Sequence, residues 1–109
     1  MTDQMMEEVA RRFRLLGEPV RLRLLRALES GERSVNDLAS ALGGNQGNVS
    51  RHLAALADGG ILKRRREGNN VYYSIADPVV FRLCDLVCNS AQRQIRTRVG
   101  ALLGGGDEG

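Results

Sequence analysis

Paired glycines cut the middle of this chain into short segments. Gly43-Gly44 and Gly59-Gly60 enclose Asn45 to Asp58, and Ser30-Gly31 stands just before Ser34 to Leu42. Glycine sits poorly inside a helix and well just past its end. Helices this short are marginal in water, so each must be held by an apolar face packed on its neighbours. In Ser34-Val35-Asn36-Asp37 the Ser34 hydroxyl is placed to accept from the Asp37 N–H, with Asp37 at the positive end of the helix dipole. The helix it opens carries Leu38, Ala41 and Leu42 inward. Asn45 caps the next, Gln46 to Ala57. Two short helices joined by a tight glycine turn make a helix-turn-helix.

The flanks complete one domain. Met6, Val9, Ala10, Phe13 and Leu16 recur at helical spacing in an amphipathic N-terminal segment. Gly17-Glu18-Pro19 interrupts it, and Pro19 suits the first position of a second helix, whose stripe is Val20, Leu24, Leu25 and Leu28. After Ile61-Leu62, a basic run, Lys63-Arg64-Arg65-Arg66-Glu67, leads through Gly68-Asn69-Asn70 to Val71-Tyr72-Tyr73-Ser74-Ile75. That sequence predicts a β-hairpin with Gly68-Asn69-Asn70 at its tip. Asp77-Pro78 then opens a long helix running to about Leu103. Residues 1–103 form a single mainly α domain with a small β-hairpin (α+β), and 104–109 are a glycine-rich, flexible tail with nothing to bury.

Composition narrows the chemistry. The 109 residues include two tyrosines, two phenylalanines and no tryptophan, so the core is modest and self-association is expected. No apolar run approaches the roughly 18 residues that span a bilayer, and the N-terminus lacks the basic start and apolar core of a secretory signal. A cytoplasmic protein without a membrane partner is the expectation. The two cysteines are then expected to be thiols and not a disulfide framework. A single histidine, His52, cannot build a His-rich zinc site within one chain. No phosphate-binding glycine loop, metal motif or nucleophile elbow is present, which argues against an enzyme.

The net charge of +3 matters less than its placement. On the Gln46 to Ala57 helix, Val49, Leu53 and Leu56 cluster on one side, and Gly47, Asn48, Arg51 and Ala55 lie opposite, with Gln46 at the exposed first turn. Arg, Asn and Gln have the geometry to read base edges, and small residues allow close approach to a groove. An isolated helix with this face would be an ordinary solvated one; its place as second helix of a helix-turn-helix favours DNA. Lys63 and Arg65 fall on one face of their strand, Arg64 and Arg66 on the other. They serve as a basic wing, with Asn69 and Asn70 at a minor groove or phosphate, or they merely keep an edge strand soluble.

Three stretches together resemble the ArsR/SmtB family of bacterial winged helix-turn-helix repressors: Phe13 to Leu25, with its Leu-Gly-Glu-Pro-Val-Arg core; Val49-Ser50-Arg51-His52-Leu53 with Leu56 and Gly59; and Arg65-Arg66-Glu67-Gly68 with Val71-Tyr72-Tyr73. The resemblance covers roughly residues 5 to 100. It implies a homodimeric, sequence-specific repressor that binds an imperfect palindromic operator in double-stranded DNA and is released by an inducer. It also implies a recognition helix over Gln46 to Ala57, with DNA contacts at Gln46, Asn48, Ser50, Arg51 and His52, the last at the flank and suited to a phosphate or structural hydrogen bond. The family's cysteine pair before the recognition helix is replaced here by Ser34-Val35-Asn36, and its histidine-based site on the last helix has no histidine, so neither metal site is expected.

The last helix carries Cys84 and Cys88 on one face. They lie on a stripe, Val80, Cys84, Val87, Cys88, Ala91, Ile95, Val99 and Leu102, that is the expected dimer interface. Three readings of the thiols stay open: small apolar packing residues, sensors of oxidants or reactive sulfur, or soft metal or metalloid ligands. No cofactor is required. A disulfide within the helix fits poorly, because this spacing puts Cβ atoms roughly 5–6 Å apart, against about 3.8 Å in a disulfide. A winged helix that contacts protein and not DNA is the runner-up, separable by salt-dependent retention on duplex DNA.

Overall fold

A computed structural model describes residues 1–104. Helix α1 (Asp3–Leu16) is capped by Thr2, whose hydroxyl accepts from the Met5 N–H, and α2 (Pro19–Ala27) is capped by the Glu18 carboxylate, with Pro19 opening it. A 3-10 turn (Leu28–Ser30) closes α2 at Gly31, whose φ of 133° suits glycine. Then come β1 (Arg33–Ser34), α3 (Val35–Leu42), α4 (Gln46–Asp58), β2 (Leu62–Glu67), β3 (Asn70–Ile75) and α5 (Val79–Gly104). The expected tail, 104–109, lies outside the described residues except for Gly104, which ends α5.

The glycine punctuation and the caps have direct structural counterparts. The Ser34 hydroxyl accepts from the Asp37 N–H at 3.1 Å, and the Asn45 side chain accepts from the Asn48 N–H at 3.0 Å. Gly43 ends α3 in the left-handed region at φ 65°. Gly59 serves differently: its φ is ordinary, but it is buried, and a Cβ there would overlap Leu15 Cδ1 of α1. It is a close-approach glycine as well as a helix terminator.

Two compact units divide at Pro78. In the first, Leu24, Leu25, Leu28, Leu38, Val49, Leu53 and Leu56 are almost wholly buried, with Leu16, Ile61, Leu62 and Tyr73 around them. The α3 stripe differs from expectation. Ala39 is buried and Ala41 is exposed, because α3 starts at Val35 and its inner face follows Val35, Leu38, Ala39 and Leu42 at three- and four-residue steps. Likewise only Leu16 of the α1 stripe is buried; Met6, Val9 and Phe13 remain exposed.

The hairpin gains a third strand. The sheet order is β1-β3-β2, all antiparallel, with Ser34 opposite Tyr72 and Tyr72 opposite Arg65. The tip is a two-residue turn, Gly68-Asn69, with Gly68 at φ 62°, as a type II′ turn demands. Asn70 belongs to β3, paired with Glu67, and is not part of the loop.

The second unit is α5. Val80 is only 5% exposed, whereas Leu86, Val87, Ile95, Val99 and Leu102 are each between 45% and 84% exposed. No helix among the described residues is long and apolar enough to cross a membrane.

Candidate nucleic-acid interface

Helix α4 presents two contrasting faces because its apolar residues follow helical spacing. Val49, Leu53 and Leu56 are at most 2% exposed, while Gln46, Gly47 and Arg51 are open to solvent. The outward side chains are held before any ligand arrives. Gln46 Nε2 donates to Asn36 Oδ1 of α3 at 2.7 Å, and Arg51 Nη2 donates to Asn48 Oδ1 at 2.8 Å. Both bonds fix long side chains that would otherwise lose rotamer freedom on binding. Ser50 is half-buried one turn along from Gln46.

His52 is placed differently from its neighbours. Its Nδ1 accepts from Arg21 Nε at 3.1 Å, its Nε2 lies 3.7 Å from Glu18 Oε2, and its side chain is 18% exposed. Arg21 also donates to the Leu15 carbonyl, and Glu18 caps α2. The imidazole thus fastens α4 to the start of α2, the structural alternative for this residue. Nothing local in the sequence marks Arg21 and Glu18 as its partners, since they lie some thirty residues away and only the packing of α2 on α4 brings them together.

Between α3, α4 and the wing tip lies a cleft of about 160 Å³. Its polar walls are Ser34, Asn36, Gln46, Ser50, Asn69 and Asn70, all uncharged hydrogen-bonding side chains. The structure therefore brings together, around one opening, recognition-helix and wing residues that are separated by about twenty positions in the sequence. Asn36 joins this set from the first turn of α3, and its place there beside the Ser34 cap is the only mark the sequence gives it.

The wing's basic residues divide by strand face. Leu62, Arg64 and Arg66 share the side of buried Tyr73, and Lys63 and Arg65 share that of Tyr72. All four cations are exposed. Arg65 is engaged: Nε and Nη2 donate to the two Glu32 carboxylate oxygens at 3.1 and 2.9 Å, and its Cζ lies 4.7 Å from the Tyr72 ring centroid. That bidentate contact holds the Glu32 carboxyl below its ordinary pKa and raises that of Arg65. Lys63, Arg64 and Arg66 make no ion pair among the described residues.

A helix-turn-helix domain family matches residues 16–65, spanning α2, both helices of the motif and the first half of the wing. Beyond that stretch, the chain is 39% identical to a solved homodimeric winged helix-turn-helix DNA-binding domain from Mycobacterium bovis, described as a possible ArsR-family transcriptional regulator. The alignment covers 84% of this chain and 88% of that one, with a TM-score of 0.73. The chain belongs to the ArsR/SmtB family. Another family structure, the AntR antimony-specific transcriptional repressor, is 41% identical over 87% of this chain and 86% of its own, with a TM-score of 0.76. An SmtB homolog, a transcriptional repressor from Synechocystis, is 41% identical over 79% of this chain. The chain spans 62%, 37% and 65% of the length of three curated relatives, so they extend beyond the ArsR/SmtB core shared here.

Cys84 of α5 is half-buried and Cys88 exposed, both outside any disulfide. Among the described residues, no three His, Cys, Asp or Glu side chains gather into a group that could hold a metal ion.

Proposed function

We propose that this protein is a homodimeric transcriptional repressor, not an enzyme, that binds a palindromic DNA operator in the cytoplasm and leaves it when an inducer binds. The observation that carries this is the solvent face of α4: Gln46, Asn48 and Arg51, pre-arranged by hydrogen bonds, beside a polar cleft and the uncommitted cations Arg64 and Arg66. On this reading α4 enters the major groove, where Arg51 and the amides read base edges. The wing engages phosphate and the adjoining minor groove through Lys63, Arg64, Arg66, Asn69 and Asn70. Arg51→Ala, folded and dimeric, is expected to lose about 1–3 kcal/mol of operator preference over unrelated DNA. Unchanged selectivity in a competition gel-shift would refute the assignment of α4.

The exposed apolar side of α5, Val87, Cys88, Ala91, Ile95 and Val99, with Cys84 at its inner edge, supports dimerisation through a second copy. Solved relatives include a homodimeric domain, which favours the same arrangement. Cys84 and Cys88 then supply two soft donors per chain, too few for a three-coordinate metalloid or a tetrahedral zinc site. A dimer that brought two such pairs together would supply the rest, and a thiol-reactive inducer needs only the pair itself. One relative is an antimony-specific repressor, which makes a metalloid the first inducer to try. Antimonite, arsenite, zinc, peroxide and persulfide, each added to the reduced protein on its operator, are the test. Release of wild type but not of Cys84→Ser/Cys88→Ser is expected; equal release of both proteins would exclude the thiols as the sensor.

A further inference from the structure

The wing residue with the richest set of contacts is the one least free to touch DNA. Arg65 offers its Nε and Nη2 edge to Glu32 in the fork that an arginine presents to phosphate. Its Nη1 lies 3.5 Å from Glu67 Oε2, and its planar face is stacked over Tyr72. Both edges and a face of the guanidinium are thus occupied.

The register of the sheet makes this arrangement. Tyr72, on central strand β3, is opposite Arg65 on one side and Ser34 on the other. Glu32 precedes Ser34 by two residues, so alternation directs it to the face that Ser34, Tyr72 and Arg65 share. Arg65 therefore reaches across the whole sheet, over the Tyr72 ring, to the loop that leads into β1. Arg64 and Arg66 point to the opposite face and meet no carboxylate among the described residues.

We propose that Arg65 is a positioning residue and not a phosphate contact. Glu32 serves as an internal substitute for phosphate, and the wing's electrostatic grip on DNA falls to Lys63, Arg64 and Arg66. The inference rests on the DNA-binding reading above and deepens it. Were phosphate to displace Glu32, one anion would replace another and Glu32 would be left uncompensated beside the duplex. Such an exchange gains little and releases no net counterion, whereas an unpaired arginine releases one for each phosphate it neutralises. The pair also ties the wing to the loop before β1, while the register of the β1-β3-β2 ladder itself sets where Arg64 and Arg66 stand.

The test reads the slope of log K against log salt for the full chain binding a short duplex of arbitrary sequence. Each phosphate contact contributes about 0.9 to that slope. Arg66→Gln should reduce its magnitude by about 0.9 per protomer. The charge-neutral pair Glu32→Gln/Arg65→Gln should leave it at the wild-type value, and Glu32→Gln alone should increase it by about the same amount, because it opens the Nε–Nη2 edge of Arg65 to phosphate. A purely structural role for Glu32 would move none of these slopes upward. A fall for the double variant matching that of Arg66→Gln, or a Glu32→Gln slope equal to wild type, would overturn the proposal. Wild-type binding without salt dependence would overturn the DNA-binding reading first, and this inference with it.

Discussion

At the scale of single residues, charge placement is governed by a few close pairs whose consequences can be measured. Glu8 accepts from Arg11 at 2.6 Å and from Arg12 at 3.0 Å, and these hydrogen bonds lower its pKa from 4.5 to about 2. A carboxylate depressed in the folded state stabilises the fold at every pH above its unfolded value. That contribution fades as pH falls from about 4.5 through 2. A carboxyl-carbon NMR titration should therefore show Glu8 ionised well below the other glutamates, and Arg11→Ala/Arg12→Ala should return it towards 4.5. An unshifted Glu8 in the wild type would mean that the paired geometry does not persist in solution. Leu53 makes the opposite case, for packing over charge. It is 0% exposed at the centre of the α4 core face, so Leu53→Ala should cost about 2–5 kcal/mol in denaturant unfolding. Arg51, two residues away and so on the other face of the helix, should tolerate alanine with little loss of stability.

At the scale of elements, the turn between α3 and α4 decides whether the motif forms. Gly43 holds φ 65° with open space around the position of a Cβ, so an alanine there would pay only the left-handed backbone penalty. Gly43→Ala should lower stability by about 1–2 kcal/mol, and Gly44→Ala, whose φ is ordinary, should cost less. Equal losses at both would show that backbone conformation is not what the pair supplies. The helices, their caps and the hairpin could be read from the sequence because each depends on neighbours in the chain: Ser34 on Asp37, Asn45 on Asn48, Gly68 on its own φ. What could not be read depends on partners far apart. Strand β1 has two residues, Arg33 and Ser34, with no alternation to reveal it; it exists only because β3 offers an edge. For the same reason the face-sorting of Lys63 to Arg66 was legible, but the pairing of Arg65 with Glu32 was not. The two are thirty-three positions apart and meet only across that added strand.

At the scale of the whole molecule, the proposed function ties the apolar surface left uncovered to the association state, and the association state to the reading of DNA. Val87, Ile95, Val99 and Leu102 are all more than 40% exposed on α5, as are Met6 and Phe13 on α1. Covering a large aliphatic side chain is worth about 1.5–3 kcal/mol. The α5 residues alone therefore offer on the order of 10 kcal/mol gross before association costs. A charge placed among them would forfeit that gain and add an unpaired ion. Ile95→Glu/Val99→Glu should consequently sediment as a monomer at concentrations where wild type is dimeric, with α4 and the wing intact. Half-sites of a palindrome lie about 34–36 Å apart, one turn of DNA, and only a dimer presents two recognition helices to them at once. The monomeric variant should therefore lose most of its preference for a two-half-site operator over a single half-site, and its salt slope should fall to about half. If it kept full operator selectivity as a monomer, each chain would be reading DNA alone, and the α5 surface would have to serve some other partner.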